Sequence, residues 1–235
     1  MKGLNLYAGA GGNRKLWKDV EITAIEYDPV IAEIYQDFFP DDTVIVTDAH
    51  QYLLDHFKEF DFIWSSPPCP THSITNHFLH AQGTIRYPDM KLYEEIIFLK
   101  TFFKGDWVVE NVKSYYDPLV KPYELGRHYF WSNIYLTPFS KKKDFDMLNC
   151  HAGRVNHQLA DHNLKTLQEF HGFDLSKYKM SAYKKRKILR NMVPPSLGKH
   201  ILDCVRGKTV QPLTAFSKSL GTPIKTKQKR IKPIR

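Results

Sequence analysis

Residues 3–12, GLNLYAGAGG, carry the pattern from which the fold can be read: an extended run, Gly3–Ala8, passes directly into the small residues Gly9, Ala10, Gly11 and Gly12. A strand ending in a glycine-rich turn lets the backbone come close to a bound ligand with no side chains in the way. Four more short β-branched or aromatic runs follow, at Ile22–Glu26, Thr43–Thr47, Phe60–Ser65 and Trp107–Glu110. Between them lie stretches of helical period: Pro29–Phe39 with proline in its first turn, Ala49–Phe57, and Met90–Phe103 with Met90, Tyr93, Ile97 and Phe98 near helical spacing. Strands alternating with helices predict an α/β fold, a doubly wound, mostly parallel, Rossmann-like sheet. Ligands of such sheets lie beyond the carboxyl ends of the strands, so the residues just after each strand are the first candidates for function.

The chain has 235 residues, 42% hydrophobic and 14% aromatic, enough for a core and incompatible with disorder over most of its length. No apolar run reaches the roughly 18 residues that span a bilayer, and the start lacks a signal peptide's apolar stretch, so a cytoplasmic protein without membrane attachment is expected. Cys69, Cys150 and Cys204 are an odd number in a chain that can bury its own core, which argues against a disulfide framework. Residues 206–235 hold nine Lys/Arg and no acid, leaving 25 basic against 25 acidic residues elsewhere. The whole net charge of +9 therefore sits in a Pro-, Thr- and Lys-rich tail, which suits either a solvated terminus or phosphate contact with a nucleic acid.

Beyond the glycine turn, Glu26 ends the second run, where a carboxylate can accept both hydroxyls of a ribose, and Asp48 follows the third, where it can accept from an adenine amino group. The plainer reading of either is a helix cap. A dinucleotide fingerprint wants a third glycine where this chain has Arg14, so the set fits S-adenosylmethionine (AdoMet) better than a nicotinamide dinucleotide. The fourth run enters Ser65-Ser66-Pro67-Pro68-Cys69-Pro70, where three prolines fix the chain around one thiol, an unusual setting for an inert core cysteine. Cysteine is a strong nucleophile once deprotonated. The fifth run ends Val109-Glu110-Asn111-Val112, with a carboxyl group between apolar neighbours, the setting that raises a carboxyl pKa toward that of a general acid.

Taken in order, these segments resemble the cytosine-5 DNA methyltransferase family. Tyr7-Ala8-Gly9-Ala10-Gly11-Gly12 is similar to its cofactor loop, Glu26-Tyr27-Asp28 and Asp48-Ala49 to its ribose and adenine segments, Pro67-Pro68-Cys69 to its nucleophile motif, and Glu110-Asn111-Val112 to its acid motif. Asn191-Met192-Val193-Pro194-Pro195 resembles the late motif that completes the cofactor pocket and returns the last helix to the first domain. The resemblance implies an AdoMet-dependent enzyme in which Cys69 adds to carbon 6 of a flipped cytosine, Glu110 serves ring nitrogen 3, Asn111 positions the Glu110 loop and Arg127 contacts the base or a phosphate. Tyr7–Gly12, Glu26, Tyr27, Asp48, Ala49, Pro67, Asn191 and Val193 would bind the cofactor, and no metal is expected. Double-stranded DNA is the implied substrate, with a restriction endonuclease as a further partner and a monomer as the expected state. An RNA-modifying branch of the same chemistry and an inactive nucleic-acid-binding relative are the alternatives, and retention of Cys69 with Glu110 argues against the latter.

This sequence departs from the family at Asn5, where Asp is usual, and at Pro70, where Gln is usual; the paired-arginine motif is only partly matched by Gly126-Arg127-His128-Tyr129-Phe130-Trp131. The expected organisation is a catalytic, cofactor-binding domain at 1–136, a small target-recognition region at 137–189, a returning helix at 190–205 and the basic tail at 206–235. Within the recognition region Lys141–Lys143, Arg154 and Lys184–Lys187, interleaved with Tyr178 and Tyr183, are candidate DNA contacts or else a solvated basic surface. Cys150, His151, His157 and His162 match no zinc-ligand spacing.

Overall fold

The structure, a computed structural model, describes residues 1–139 and 157–207, with only the backbone for residues 157–162. Lys141–Lys143, Cys150, His151, Arg154, the side chains of His157 and His162, and the tail from Lys208 onward lie outside the described residues. The elements in chain order are β1 (Lys2–Leu6), β2 (Glu21–Glu26), α1 (Pro29–Phe38), β3 (Thr43–Val46), α2 (Ala49–His56), β4 (Phe62–Ser65), α3 (Asn76–Ala81), α4 (Lys91–Phe102), β5 (Asp106–Val112), β6 (Tyr123–Leu125), β7 (His128–Ser132), α5 (His157–His171), α6 (Ala182–Asn191) and α7 (Pro195–Val205). Seven strands form one sheet in the order β3-β2-β1-β4-β5-β7-β6. Strands β1 to β5 run parallel, and β7 runs antiparallel to both β5 and β6. The expected doubly wound, mostly parallel sheet is therefore present.

Strand pleating divides the core into two layers, because successive side chains face opposite sides. Leu4, Leu6, Ile25, Ile63 and Val109 pack with Leu53 of α2 and with Leu92, Ile96 and Leu99 of α4. Ile22, Ala24, Phe62, Trp64, Val108 and Phe130 face the other way onto Tyr35 of α1 and Leu197, Ile201 and Leu202 of α7. A third cluster joins Ile34 of α1 to Leu167, Phe173, Ile188 and Leu189, so α5 and α6 lean on the α1 side of the glycine turn.

Several boundaries differ from the sequence expectation for local reasons. Strand β1 stops at Leu6 because Tyr7 adopts a left-handed backbone, φ 53°. A short 3₁₀ turn at Phe57–Glu59 delays β4 to Phe62. Strand β7 ends at Ser132, where Asn133 accepts from Trp107 N–H (3.0 Å) and donates to the Gly105 carbonyl (2.9 Å), turning the chain aside. Helix α5 runs from His157 to His171 and stops before Gly172, whose φ is 68°. The sequence analysis did not identify α3, β6 or α6 as regular elements.

Arg14, the residue that breaks the dinucleotide fingerprint, is a structural tie. Its guanidinium binds both oxygens of Asp42 at 2.8 Å, and the Tyr35 hydroxyl donates to the same carboxylate at 2.8 Å. Asp42 is buried, so removing the cation would strand a charge in the interior. Arg14→Ala is expected to destabilise the fold by about 3 kcal/mol in urea unfolding, whereas replacement of the exposed Leu16 by Ala should leave the midpoint nearly unchanged.

Candidate active site

The chain passes from β1 out to β2 and β3 on one side, then returns to place β4 and β5 on the other. The crevice at this reversal, beyond the carboxyl ends of β1 and β4, is the expected ligand position in open α/β sheets. A cavity of about 490 Å³ lies there. Of the residues proposed to bind a cofactor, Tyr7, Ala8, Gly9, Ala10, Gly12, Glu26, Asn191 and Val193 line it, and so does Glu110.

The local backbone explains the glycines. Gly11 has φ 85°, and a side chain there would strike the Phe39 ring at 2.2 Å. Gly12 lies so close to the late motif that a Cβ would stand 2.7 Å from the Val193 carbonyl and from Met192, which is how α7's approach segment completes the cavity wall. Glu26 accepts from the Gly9 N–H and, through its other oxygen, from the Asp28 N–H, both at 2.9 Å. Its carboxylate is thus held in place with accepting capacity left toward the cavity. An apolar wall of Ile31, Ile188, Met192 and Val193 faces this acceptor, a combination that fits a nucleoside carrying an amino-acid tail.

The structure does not bring all the expected cofactor residues into this cavity. Asp48 caps α2, accepting from the Gln51 N–H at 2.8 Å, and is exposed. Ala49 is buried in the α2 core layer, Tyr27 is 76% exposed, Gly11 is turned toward Phe39, and Pro67 is buried with its carbonyl engaged elsewhere. The cavity is also lined by Asn13, Asp28, Ile31, Ser66 and Met192, none of them among the expected cofactor residues, and by the face of α6 that presents Ile188 together with Tyr183, Lys184 and Lys187, which stand among the candidate DNA contacts. The spacing 184, 187, 188, 191 was the available signal, since it makes one helical face ending at Asn191. Lys184 also reaches Asp28 across the cavity rim at 3.6 Å. In the same basic run Arg186 is buried, contrary to its reading as a surface contact for DNA.

The nucleophile turn and the acid strand are joined by one buried bond. Asn111 donates from Nδ2 to the Pro67 carbonyl at 3.0 Å and accepts from the Val112 N–H at 2.9 Å. Glu110 is buried on the adjoining position of β5, and burial raises its carboxyl pKa to about 7, while a hydrogen bond from Ser66 and the nearby Arg127 charge act in the opposite direction. Trp64 Nε1–H donates to Ser66 Oγ at 2.8 Å, which leaves that hydroxyl's proton for Glu110. His128 comes within 3.8 Å of Glu110, and burial lowers its pKa to about 3, so its ring is neutral near pH 7. Arg127 itself is exposed at the end of the β6–β7 turn. Cys69 is half-buried, and desolvation, followed by the charge of Glu110, raises its pKa to about 11. Among the described residues no cluster of metal-ligating side chains is present, and no helix is long and apolar enough to cross a membrane.

A sheet of this order with its glycine turn, acidic strand end and crevice defines a methyltransferase-type α/β domain. The model of the C-5 cytosine-specific DNA methylase family matches residues 1–118, and the chain belongs to that family. Among solved structures, a triple mutant of DNMT2 from Spodoptera frugiperda superposes with a TM-score of 0.56 at 16% identity, over 87% of this chain and 99% of that one. The Entamoeba histolytica methyltransferase EhMeth superposes with a TM-score of 0.53 at 10% identity, over 90% of this chain and 99% of that one. At those identities the likeness is one of fold. No curated protein matches the chain.

Because thiolate is the reactive form, alkylation of Cys69 by iodoacetamide in the free protein should rise about tenfold per pH unit between pH 7 and 10. Glu110→Gln removes the negative neighbour and should shift that profile to lower pH, as read by peptide mapping of the alkylated cysteine.

Proposed function

We propose that the protein is an AdoMet-dependent DNA (cytosine-5) methyltransferase that works through a covalent adduct of Cys69 with a flipped cytosine. The observation carrying this reading is the Asn111–Pro67 bond. It holds the Cys69 turn and the Glu110 strand end together at the mouth of a cavity that Ser66 and Glu110 themselves line. The cavity residues suit the cofactor: Glu26 would take its ribose, Ile31, Ile188 and Val193 would cover its apolar parts, and the Gly9–Gly12 backbone would approach its amino-acid end. AdoMet, when bound, supplies an electrophilic methyl group.

Carbon 5 of cytosine is a weak nucleophile, and addition of a thiolate at carbon 6 corrects this. Cys69 gives up its proton to solvent water and its sulfur bonds to carbon 6, sending electron density to carbon 5. Glu110, protonated below about pH 7, donates to ring nitrogen 3 as negative charge builds there, the preorganised stabilisation such sites provide. After carbon 5 is methylated it loses its proton, the electron pair returns, and the bond from carbon 6 to Cys69 breaks. The target atom lies inside the base stack, so the base must be extruded to reach Cys69. The hydrogen bond from Ser66 holds Glu110 in position throughout.

Bisulfite sequencing of DNA from a methylation-free host tests reaction and substrate together. Wild type should leave methylcytosine at one recurring short sequence, and Cys69→Ser should abolish it while AdoMet binding stays near wild type. Absence of any DNA mark from folded, AdoMet-binding protein would move the substrate to RNA. For the basic tail, truncation after Gly207 is expected to weaken DNA binding and flatten its salt dependence in a titration, since each lost phosphate contact reduces the slope by about one.

A further inference from the structure

Glu95 lies in α4, on the opposite side of the sheet from Glu110, and its side chain is completely buried. Three groups converge on it. The Tyr7 hydroxyl donates to Oε1 at 2.6 Å, the Ser65 hydroxyl donates to Oε2 at 2.6 Å, and His50 Nδ1 stands 3.1 Å from Oε1. His50 also lies 3.4 Å from Glu94, and its pKa is raised chiefly by its bond to Glu95. None of these residues except Tyr7 lines the cavity, but Ser65 directly precedes Ser66, which does, on the way to the nucleophile.

Tyr7 opens the glycine turn and is held with φ 53°, a left-handed conformation that a residue bearing a Cβ keeps only where its surroundings enforce it. The bond to Glu95 is an enforcing contact, and it fixes the first residue of the turn whose backbone faces the cavity. Ser65 is the last residue of β4, four positions before Cys69. Pleating sends Ser65 toward α4 and Ser66 toward Glu110, so the two serines anchor the nucleophile turn from both faces of the sheet. His50 stands in the first turn of α2. A single carboxylate thus gathers the exits of β1 and β4 and the start of α2 beneath the site.

We infer that Glu95 is a positioning residue, setting the cofactor turn through Tyr7 and the nucleophile turn through Ser65. This rests on the cofactor and nucleophile assignments proposed above. It does so with separate oxygens, which is why a carboxylate and not an amide occupies the position: glutamine retains one accepting oxygen and cannot receive both hydroxyls on different atoms.

Two readouts that need no methyl-acceptor substrate test the inference on the full chain: AdoMet affinity by calorimetry, and the rate of Cys69 alkylation by iodoacetamide at fixed pH, resolved from Cys150 and Cys204 by peptide mapping. Tyr7→Phe removes only the hydroxyl and should weaken AdoMet about fivefold to tenfold, the effect of losing a bond to a charged group, with little change at Cys69. Ser65→Ala should change the Cys69 rate by at least about threefold, as displacement of a reacting group does, with AdoMet affinity close to wild type. Glu95→Gln should show both defects. Wild-type affinity and wild-type Cys69 rate in Glu95→Gln, whatever its melting temperature, would overturn the inference and leave Glu95 a structural residue. Should that variant not fold, the two hydroxyl variants decide, since wild-type values in both overturn it equally. Failure of the wild-type protein to bind AdoMet would sink the cofactor assignment instead, and the Cys69 arm would still decide whether Glu95 sets the nucleophile turn.

Discussion

The structure depends on the reversal of strand order between β1 and β4. Parallel strands end together on one edge of a sheet, so side chains and backbone groups that follow them are gathered without any long-range folding of the loops themselves. At this edge the glycine turn after β1, Glu26 at the end of β2, Ser66 after β4 and Glu110 in β5 all face one crevice. The chain reaches its fifth strand by residue 112, so nearly all the chemistry is placed by the first half of the sequence. The second half closes the crevice: α6 and the segment before α7 supply a wall, and the near-contact of Gly12 with Val193 shows how tightly that wall is seated.

Crowding so many strand ends at one edge requires buried polar ties, and each ties two loops together. Asn111 binds the acid strand to the nucleophile turn. Asn13 donates to Asn5 beneath the glycine turn at 2.8 Å. Arg14 and Tyr35 share Asp42, anchoring the segment after that turn to the end of α1. These are buried side-chain bonds in low dielectric, where breaking one partner is costly. They make the floor of the site stiff, while the rim is spanned by the partly exposed Lys184–Asp28 pair, which contributes little to stability and opens at small cost.

Much of this was legible in the sequence because it follows from local rules. The alternation of short strands with helical stretches located all five parallel strands within two residues at either end, and reading the residues just after each strand led to Glu26, Cys69 and Glu110. What escaped was tertiary in origin. Asp48 is an exception to this, since the helix cap is the plainer local reading of it and its Oδ1 accepts from the Gln51 N–H of α2. Arg186 sits in a run of four basic residues, and nothing local distinguishes it from its neighbours; its burial does. Helix α6 was obscured by that same run, whose charge drew attention from its helical spacing. Glu95 gave no signal at all, since a glutamate in an amphipathic helix is ordinarily solvated and only packing against β4 turns it inward.

If the proposed mechanism holds, the electrostatics of the site keep the thiol inert between turnovers. With Cys69 raised to about 11, the free protein at pH 7 holds a thiol, and a thiol does not attack. Two causes maintain that state, burial and the charge of Glu110, and a base entering the site acts on the second. Glu110 titrates near 7, so a proton donor and its conjugate base are present in comparable amounts, and a pyrimidine ring nitrogen that pairs with the protonated form removes the negative charge facing Cys69. The same event that recognises the base therefore favours the thiolate. His128, held neutral by burial and by Arg127, cannot substitute for that proton near pH 7. Under the proposed mechanism, activation of the nucleophile would thus be coupled to occupancy of the acid, and the half-buried thiol would stay unreactive toward oxidants and electrophiles in the resting state.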